Sequence, residues 1–271
     1  MRKLLPLYVL FGVLVSAQAQ EKVVTGKTKS DKTLVNAGPK FGNSSMDKET
    51  KEKLLLADGK TRALFQMVQD RGLIVPGKSE SELSAEIVTL AKDEFGMVEH
   101  WHKKIVRAGV NTLESYSKNP TDRIIQKDDI VILDFGPNYQ GWETDFGRTY
   151  VMGNDPEKLK LKKDVEAAWY EAKEWYTKQK QLTGSEYWNY LIELAKRYGY
   201  EFGGEIGGHI IGHYPHEQPD LKGDLSLDVH PDNHTSILLS DKNGNRRQWL
   251  LEIHFVDRNK RIGAFYEQLL N

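Results

Sequence analysis

Two pairs of carboxylates and one histidine have the types and spacing to hold metal. The stretch Ile130–Val151 carries an apolar, β-branched run into Asp134, turns through Pro137–Gly141 and returns through Asp145. That pattern predicts a β-hairpin. A four-residue loop at Asn138–Gly141 makes the pairing symmetric about the Tyr139–Gln140 bond and sets Asp134 directly opposite Asp145, with Cβ atoms roughly 5 Å apart. The segment Trp249–Leu270 repeats the logic: folding about the Asn259–Lys260 bond sets Glu252 opposite Glu267. Like charges opposed on one face destabilise a sheet unless a shared proton or a divalent cation compensates them. His209 lies within Gly207-Gly208-His209-Ile210-Ile211-Gly212, where glycines let the backbone approach closely. A lone acid pair reads as solvated and a lone histidine there as a satisfied core residue. Taken together, four carboxylates and one imidazole suit two hard or borderline divalent cations. Ions bridged in this way sit about 3.5–4 Å apart, and a water shared between them ionises near neutral pH.

The elements that must position these residues alternate between helical and strand patterns. A helix is expected over residues 47–71 and is broken by Pro76-Gly77. Ser79-Glu80-Ser81-Glu82 is a capping box for a second helix that ends at Gly96. The segment His100–Gly109 approaches a strand, and Asn119-Pro120 marks a turn before the first acidic hairpin. Asn154-Asp155-Pro156 opens a long amphipathic helix whose Val165, Ala168, Trp169, Ala172 and Trp175 form a core stripe. Thr183-Gly184-Ser185-Glu186 caps another helix, which ends at Gly199. Residues 218–246 are polar and turn-rich. Each half therefore holds helices followed by a hairpin with opposed carboxylates. This predicts an α+β architecture with helices packed on one face of a curved sheet.

The chain has 271 residues, ample for a large core. Its formal net charge of −1 offers nothing to nucleic acid or to an anionic membrane surface. With no cysteine, thiolate metal sites and cysteine nucleophiles are excluded, as is a lipidated N-terminal cysteine. Met1-Arg2-Lys3 is a positive start, Leu4–Val15 an apolar stretch, and Ala17-Gln18-Ala19 a small-residue cleavage pattern. Residues 1–19 are thus expected to be a secretory signal peptide, too short for a comfortable span. Residues 20–45, rich in Lys, Gly, Ser, Thr and Asn, read as a flexible leader, leaving residues 46–271 as the catalytic domain. The mature chain is expected to be exported, periplasmic or secreted, with no membrane attachment.

In order and spacing the motifs resemble the pita-bread metallopeptidases, the family of methionine aminopeptidase, Xaa-Pro aminopeptidase, prolidase and creatinase. Leu133-Asp134-Phe135-Gly136 with Thr144-Asp145-Phe146-Gly147-Arg148-Thr149 is similar to the hairpin of the first two ligands. Gly208-His209 resembles the histidine ligand, and His216, seven residues on, a substrate-contacting histidine. Tyr266-Glu267 matches the last glutamate, and Glu252 falls where the penultimate one belongs. The resemblance implies a pita-bread fold, a curved antiparallel sheet with helices on one face and pseudo-twofold halves. By the same resemblance Asp134 would chelate one ion, Asp145 and Glu267 would bridge, and His209 and Glu252 would bind the other. A hydroxide bridging the ions would attack the scissile carbonyl, with Glu252 as proton shuttle and His216 steadying the carbonyl or tetrahedral intermediate. Two ions among manganese, cobalt, iron and zinc are implied.

Three features depart from the family. The neighbourhood of its usual upstream histidine reads Glu114-Ser115-Tyr116-Ser117-Lys118, with His100 or His102 either substituting by another loop path or lying at the surface. Glu252 precedes Ile253 where the family has proline. His213 reads as an exposed loop residue. The function implied is an exported exopeptidase that takes a peptide substrate, an aminopeptidase with Xaa-Pro cleavage favoured over methionine removal. The alternatives are a non-catalytic peptide- or protein-binding module and a creatinase-like C–N hydrolase.

Overall fold

Capping chemistry sets where the helices begin and end. In the computed structural model, which describes residues 45–217, 223–241 and 244–270, α1 runs Ser45–Asp70 and α2 runs Glu80–Phe95. Ser79 accepts from the Glu82 backbone N–H while the Glu82 carboxylate accepts from Ser79, and Gly96 stops α2 in the left-handed region at φ 68°. Strands β1 (Ile105–Ala108), β2 (Ile130–Phe135), β3 (Asn138–Tyr139), β4 (Trp142–Glu143) and β5 (Phe146–Val151) complete the first half. Helix α3 (Pro156–Thr177) starts with Asp155 as cap and proline in its first turn, and α4 (Gly184–Tyr198) starts on the Thr183–Glu186 capping box. The second half ends with β6 (Glu201–Phe202), β7 (Ile210–Ile211), β8 (Gln248–Asp257) and β9 (Ile262–Leu269). The signal peptide expected at residues 1–19 and all of the leader except Ser45 lie outside the described residues, as do residues 218–222 and 242–243 of the polar segment. Among the described residues no helix is long and apolar enough to cross a membrane.

The main sheet is antiparallel with strand order β1-β2-β5-β9-β8-β6, and β7 pairs with β8. This is the α+β architecture expected, with two halves meeting at β5 and β9. Alternation along the strands separates two faces. Val131, Leu133 and Phe135 pack with α1 and α2 residues such as Leu64, Phe65 and Leu83. Leu251, Ile253, Phe255, Ala264 and Tyr266 pack with Val165, Trp169 and Leu191 of α3 and α4. The intervening residues, Ile132, Asp134, Glu252, His254, Phe265 and Glu267, line a cavity on the other face.

The second hairpin has the expected register, with Glu252 paired to Glu267. The first does not. Asp134 pairs with Gly147, and Asn138 and Tyr139 pair with Glu143 and Trp142, so the turn is the two residues Gln140–Gly141 rather than four. Both turn residues have positive φ (53° and 83°), the backbone twist that matches a two-residue hairpin. The shift is two residues, so Asp134 and Asp145 keep a common face but meet diagonally instead of directly.

The seam between the halves is closed largely by side chains. Backbone pairing of β5 with β9 is confined to Gly147 and Glu267. Thr149 Oγ1 donates to the Phe265 carbonyl at 2.9 Å and accepts from the Phe265 N–H at 2.7 Å. The Arg148 guanidinium, between the rings of Phe146 and Tyr266 at 3.6 and 3.7 Å, donates to the carbonyls of Gly147 and Glu267 at 2.7 Å. It also donates to the Gln268 side chain.

Candidate metal centre

Strand register brings three of the carboxylates into one transverse row, Asp134–Gly147–Glu267–Glu252, across β2, β5, β9 and β8. Gly147 is the gap in that row: a Cβ there would meet the Phe265 ring at 2.3 Å and Glu267 Cβ at 3.0 Å. The fourth carboxylate lies where the β2–β5 ladder lapses. Pro137 has no N–H to give, and the Gly136 carbonyl accepts instead from the Trp101 backbone N–H at 3.0 Å. Asp145 occupies this break, buried, between two imidazoles. Its Oδ1 is 3.0 Å from His102 Nε2, and its Oδ2 is 3.4 Å from His209 Nε2. His102 Nε2 is also 3.8 Å from Asp134 Oδ1. His209 is oriented by a 2.8 Å hydrogen bond between its Nδ1 and the Ile210 carbonyl.

The structure thus brings all five expected ligands to one cavity of about 310 Å³. One donor atom each from Asp145, His209 and Glu267 lie within 4.8 Å of one another, and so do donors from His102, Asp134 and Asp145. Glu252 lines the same cavity, opposite Glu267, but belongs to neither tight group.

Electrostatics in this cavity are those of crowded acids. Burial, with the Asp145 charge adding to it against the pull of His102, pushes Asp134 up to about 7. Burial, with the Asp145 and Asp134 charges, pushes Glu252 up to about 8 despite the attraction of His209, and Glu267 stands well above the ordinary glutamate range for the same reasons. For Asp145 burial acts upward too, but His102 and His209 outweigh it and hold the carboxyl below the usual range. Burial opposes protonation of His102 and His209, yet Asp145 raises both to about 9. Asp134 Oδ1 is buried without a hydrogen-bond partner. A buried acidic cluster with an orphaned carboxylate oxygen is costly for a protein alone and fits divalent ions.

His216 lies beside this cluster with its ring 5.1 Å from that of His209. Its Nδ1 is 2.6 Å from Glu143 Oε2, and its backbone N–H donates to Glu143 Oε1 at 3.2 Å. It stacks on Trp101 at 4.1 Å and 14°. Glu143 is fully buried. These contacts fix the ring and leave Nε2 as the nitrogen available to a ligand. The segment 114–118 crosses the cavity edge: Arg107 donates to the carbonyls of Glu114, Ser115 and Lys118, while Ser115 and Ser117 donate to Glu205 of the second half.

His102, Trp101, Glu143 and Gly147 are the site residues that sequence reasoning passed over or could not place. His102 is visible in the sequence as a candidate, and the backbone clips Trp101 N–H to Gly136 O and Asn138 N–H to Glu99 O carry it to the carboxylate-bearing side of the hairpin. His100 lies elsewhere. Its ring packs 6.1 Å from Phe135, and burial lowers it to about 4. His213 is exposed, as expected, with its ring 5.3 Å from Trp142.

The model of the metallopeptidase family M24 matches residues 52–241. The match stops short of Glu252 and Glu267, whose place rests on the β8–β9 register. No curated protein matches the chain by sequence. Among solved structures, the prolidase from Thermococcus sibiricus is similar with 26% identity and a TM-score of 0.64, over 81% of this chain and 55% of that one. The X-Pro aminopeptidase from Thermotoga maritima aligns with 21% identity and a TM-score of 0.66, over 82% of this chain and 61% of the other. The methionine aminopeptidase from Rickettsia prowazekii aligns with 16% identity and a TM-score of 0.60, over 82% and 92%. The chain spans little more than half the length of that prolidase.

Proposed function

Because the chain belongs to the metallopeptidase family M24, we propose that it is an exported, dinuclear metal-dependent aminopeptidase of the Xaa-Pro type. The observation that carries the reading is the convergence of Asp134 and Asp145 from one half with His209, Glu252 and Glu267 from the other on one buried cavity. Preference for an Xaa-Pro bond is supported by the likeness to a prolidase, at 26% identity. Export is proposed from the N-terminal sequence alone, with cleavage after Ala19.

Asp134, Asp145, His209, Glu252 and Glu267 would hold two divalent ions, which when bound supply an activated water and polarise the scissile carbonyl. Glu252, which lines the cavity outside the tight donor groups, would take a proton from the attacking water and return it to the leaving amine. His216 would donate from Nε2 to the oxygen on which charge develops, its ring held by Glu143 and Trp101. The strap at 114–118, tied to Glu205, bounds the cavity.

The test is hydrolysis by the chain from Gln20 onward, loaded with manganese or cobalt, of peptides with proline or alanine at the second position. Release of the N-terminal residue from the proline peptides, abolished by a chelator, is expected. Metal-loaded protein that leaves every peptide intact would refute catalysis. Faster cleavage of Met-Ala peptides would refute the Xaa-Pro preference. N-terminal sequencing of the mature protein from its native host checks the export reading and should start at Gln20.

A further inference from the structure

We propose that His102 is a ligand of the ion held by Asp134 and Asp145, so that each of the two ions carries one imidazole. The proposal rests on the dinuclear reading above and goes beyond its five-ligand set.

The geometry around Asp145 is two-sided. Each oxygen of this one carboxylate faces a histidine Nε2, His102 at 3.0 Å and His209 at 3.4 Å. Each imidazole has a second carboxylate at hand: Asp134 Oδ1 stands 3.8 Å from His102, and a Glu267 oxygen lies with His209 inside a 4.8 Å cluster. A carboxylate that bridges two ions would present one oxygen to each. The nitrogen donors are already distributed on that pattern.

The seat of His102 is built into the hairpin. A Cβ at Gly136 would fall 2.0 Å from the His102 Cδ2 and 2.2 Å from its Nε2, so only glycine admits the ring. Trp101 packs edge-on against it at 4.6 Å, and the Trp101 Nε1–H donates to the Thr144 carbonyl at 2.9 Å. The His102 side chain is 5% exposed. The ring is walled by Trp101 and Tyr116, and the polar side chains that its Nε2 faces are the Asp145 and Asp134 carboxylates. A histidine whose role was only to neutralise Asp145 would need neither the second carboxylate nor the glycine cut to its outline.

The chemical consequence is metal preference. Without His102 the Asp134–Asp145 ion has oxygen ligands alone, a set suited to magnesium and manganese. One imidazole shifts it toward cobalt, iron and zinc.

The experiment titrates cobalt(II) into metal-free wild type, His102→Ala and His102→Gln, with calorimetry for stoichiometry and visible absorption for ligand type. Wild type should take up two ions. The variants should keep one tight site and lose the second, or weaken it by at least about tenfold, the least that losing an outer-shell partner typically costs. The absorption of the remaining ion should be unchanged. Two ions bound by the variants with wild-type affinity and spectrum would overturn the proposal and leave the dinuclear reading standing. Fewer than two ions on the wild-type chain would overturn the dinuclear reading, and the proposal with it. Paramagnetic proton NMR of cobalt-loaded wild type keeps the question open to refutation should the variants not fold. Two sets of shifted imidazole ring signals are expected, and a single set would overturn the proposal.

Discussion

Replacing Asp134 by asparagine should make the metal-free chain more stable and the metal-loaded chain less so. Asp134 is buried with one oxygen unpartnered, and burial raises its carboxyl from an ordinary 3.8 to about 7. A carboxyl raised in the folded chain favours folding below its ordinary value, and that contribution is lost as pH rises from about 4 through 7. His102 and His209 act in the same direction, since their stabilisation is complete below 6.5 and is lost as pH climbs through about 9. Asp145, held low, acts oppositely only below its ordinary value of 3.8. At pH 8 an ionised Asp134 costs the folded state about 4 kcal/mol. Asparagine keeps the shape and removes the charge, but it also takes from His102 one of its two partners, so about half, ~2 kcal/mol, should be recovered. For a domain of this size that is a rise of roughly 4–8 °C in melting temperature. The assay is thermal unfolding in chelator at pH 5 and pH 8, repeated with saturating manganese. The gain should be present at pH 8 and small at pH 5. With metal the order should invert, because an ion at a hundred times its Kd stabilises by ~2.7 kcal/mol only where the ligand remains. A variant that melts lower than wild type in chelator at pH 8 would refute the view of the empty-handed cluster as self-repelling.

Glu143→Gln removes the carboxylate that orients His216, a charge-assisted contact of about 1.5–3 kcal/mol. kcat on the best peptide should fall about 10- to 100-fold with KM little changed, and an unchanged kcat would show that Glu143 does not set the ring. Gly147→Ala places a methyl group 2.3 Å from the Phe265 ring, so the urea midpoint should drop by the equivalent of about 1–3 kcal/mol, with manganese affinity lowered in calorimetry. A midpoint within error of wild type would count against the close row of carboxylates. Arg148→Met strips the donors from the Gly147 and Glu267 carbonyls at the seam and should lower unfolding free energy by about 2–3 kcal/mol. Urea unfolding with no change would mean that the seam does not depend on that guanidinium.

Much of the fold was legible because it is written in local chemistry. Both capping boxes, the Asp155-Pro156 helix start and the Gly96 and Gly199 stops depend on residues within one turn of each other. The Glu252–Glu267 register followed from a hairpin whose strands pair continuously from Leu250 to Asp257. The first hairpin misled because Pro137 and Gly136 interrupt its ladder, and turn residues alone did not decide between two and four. His102 could not be placed because its position depends on long-range clips from residues 99 and 101 to 136 and 138, which no spacing rule encodes. Glu143 was unmarked for a similar reason: a carboxylate beside Trp142 reads as solvated until His216 is seen to arrive from another part of the chain.

The side-chain-closed seam has a consequence for how the protein could be taken apart. His102, Asp134 and Asp145 precede the link between β5 and α3, and His209, Glu252 and Glu267 follow it. Each half also keeps its own helices and most of one apolar cluster, although Ile130 joins the second half's cluster and Leu54 packs with Ile211, Leu250 and Leu269. A chain cut within Met152–Asp155 would therefore yield two fragments, each with a core but with half a chelator. Their reassembly would be a case of fragment complementation in which divalent ions act as the adhesive, so the concentration of metal would set the affinity of one fragment for the other.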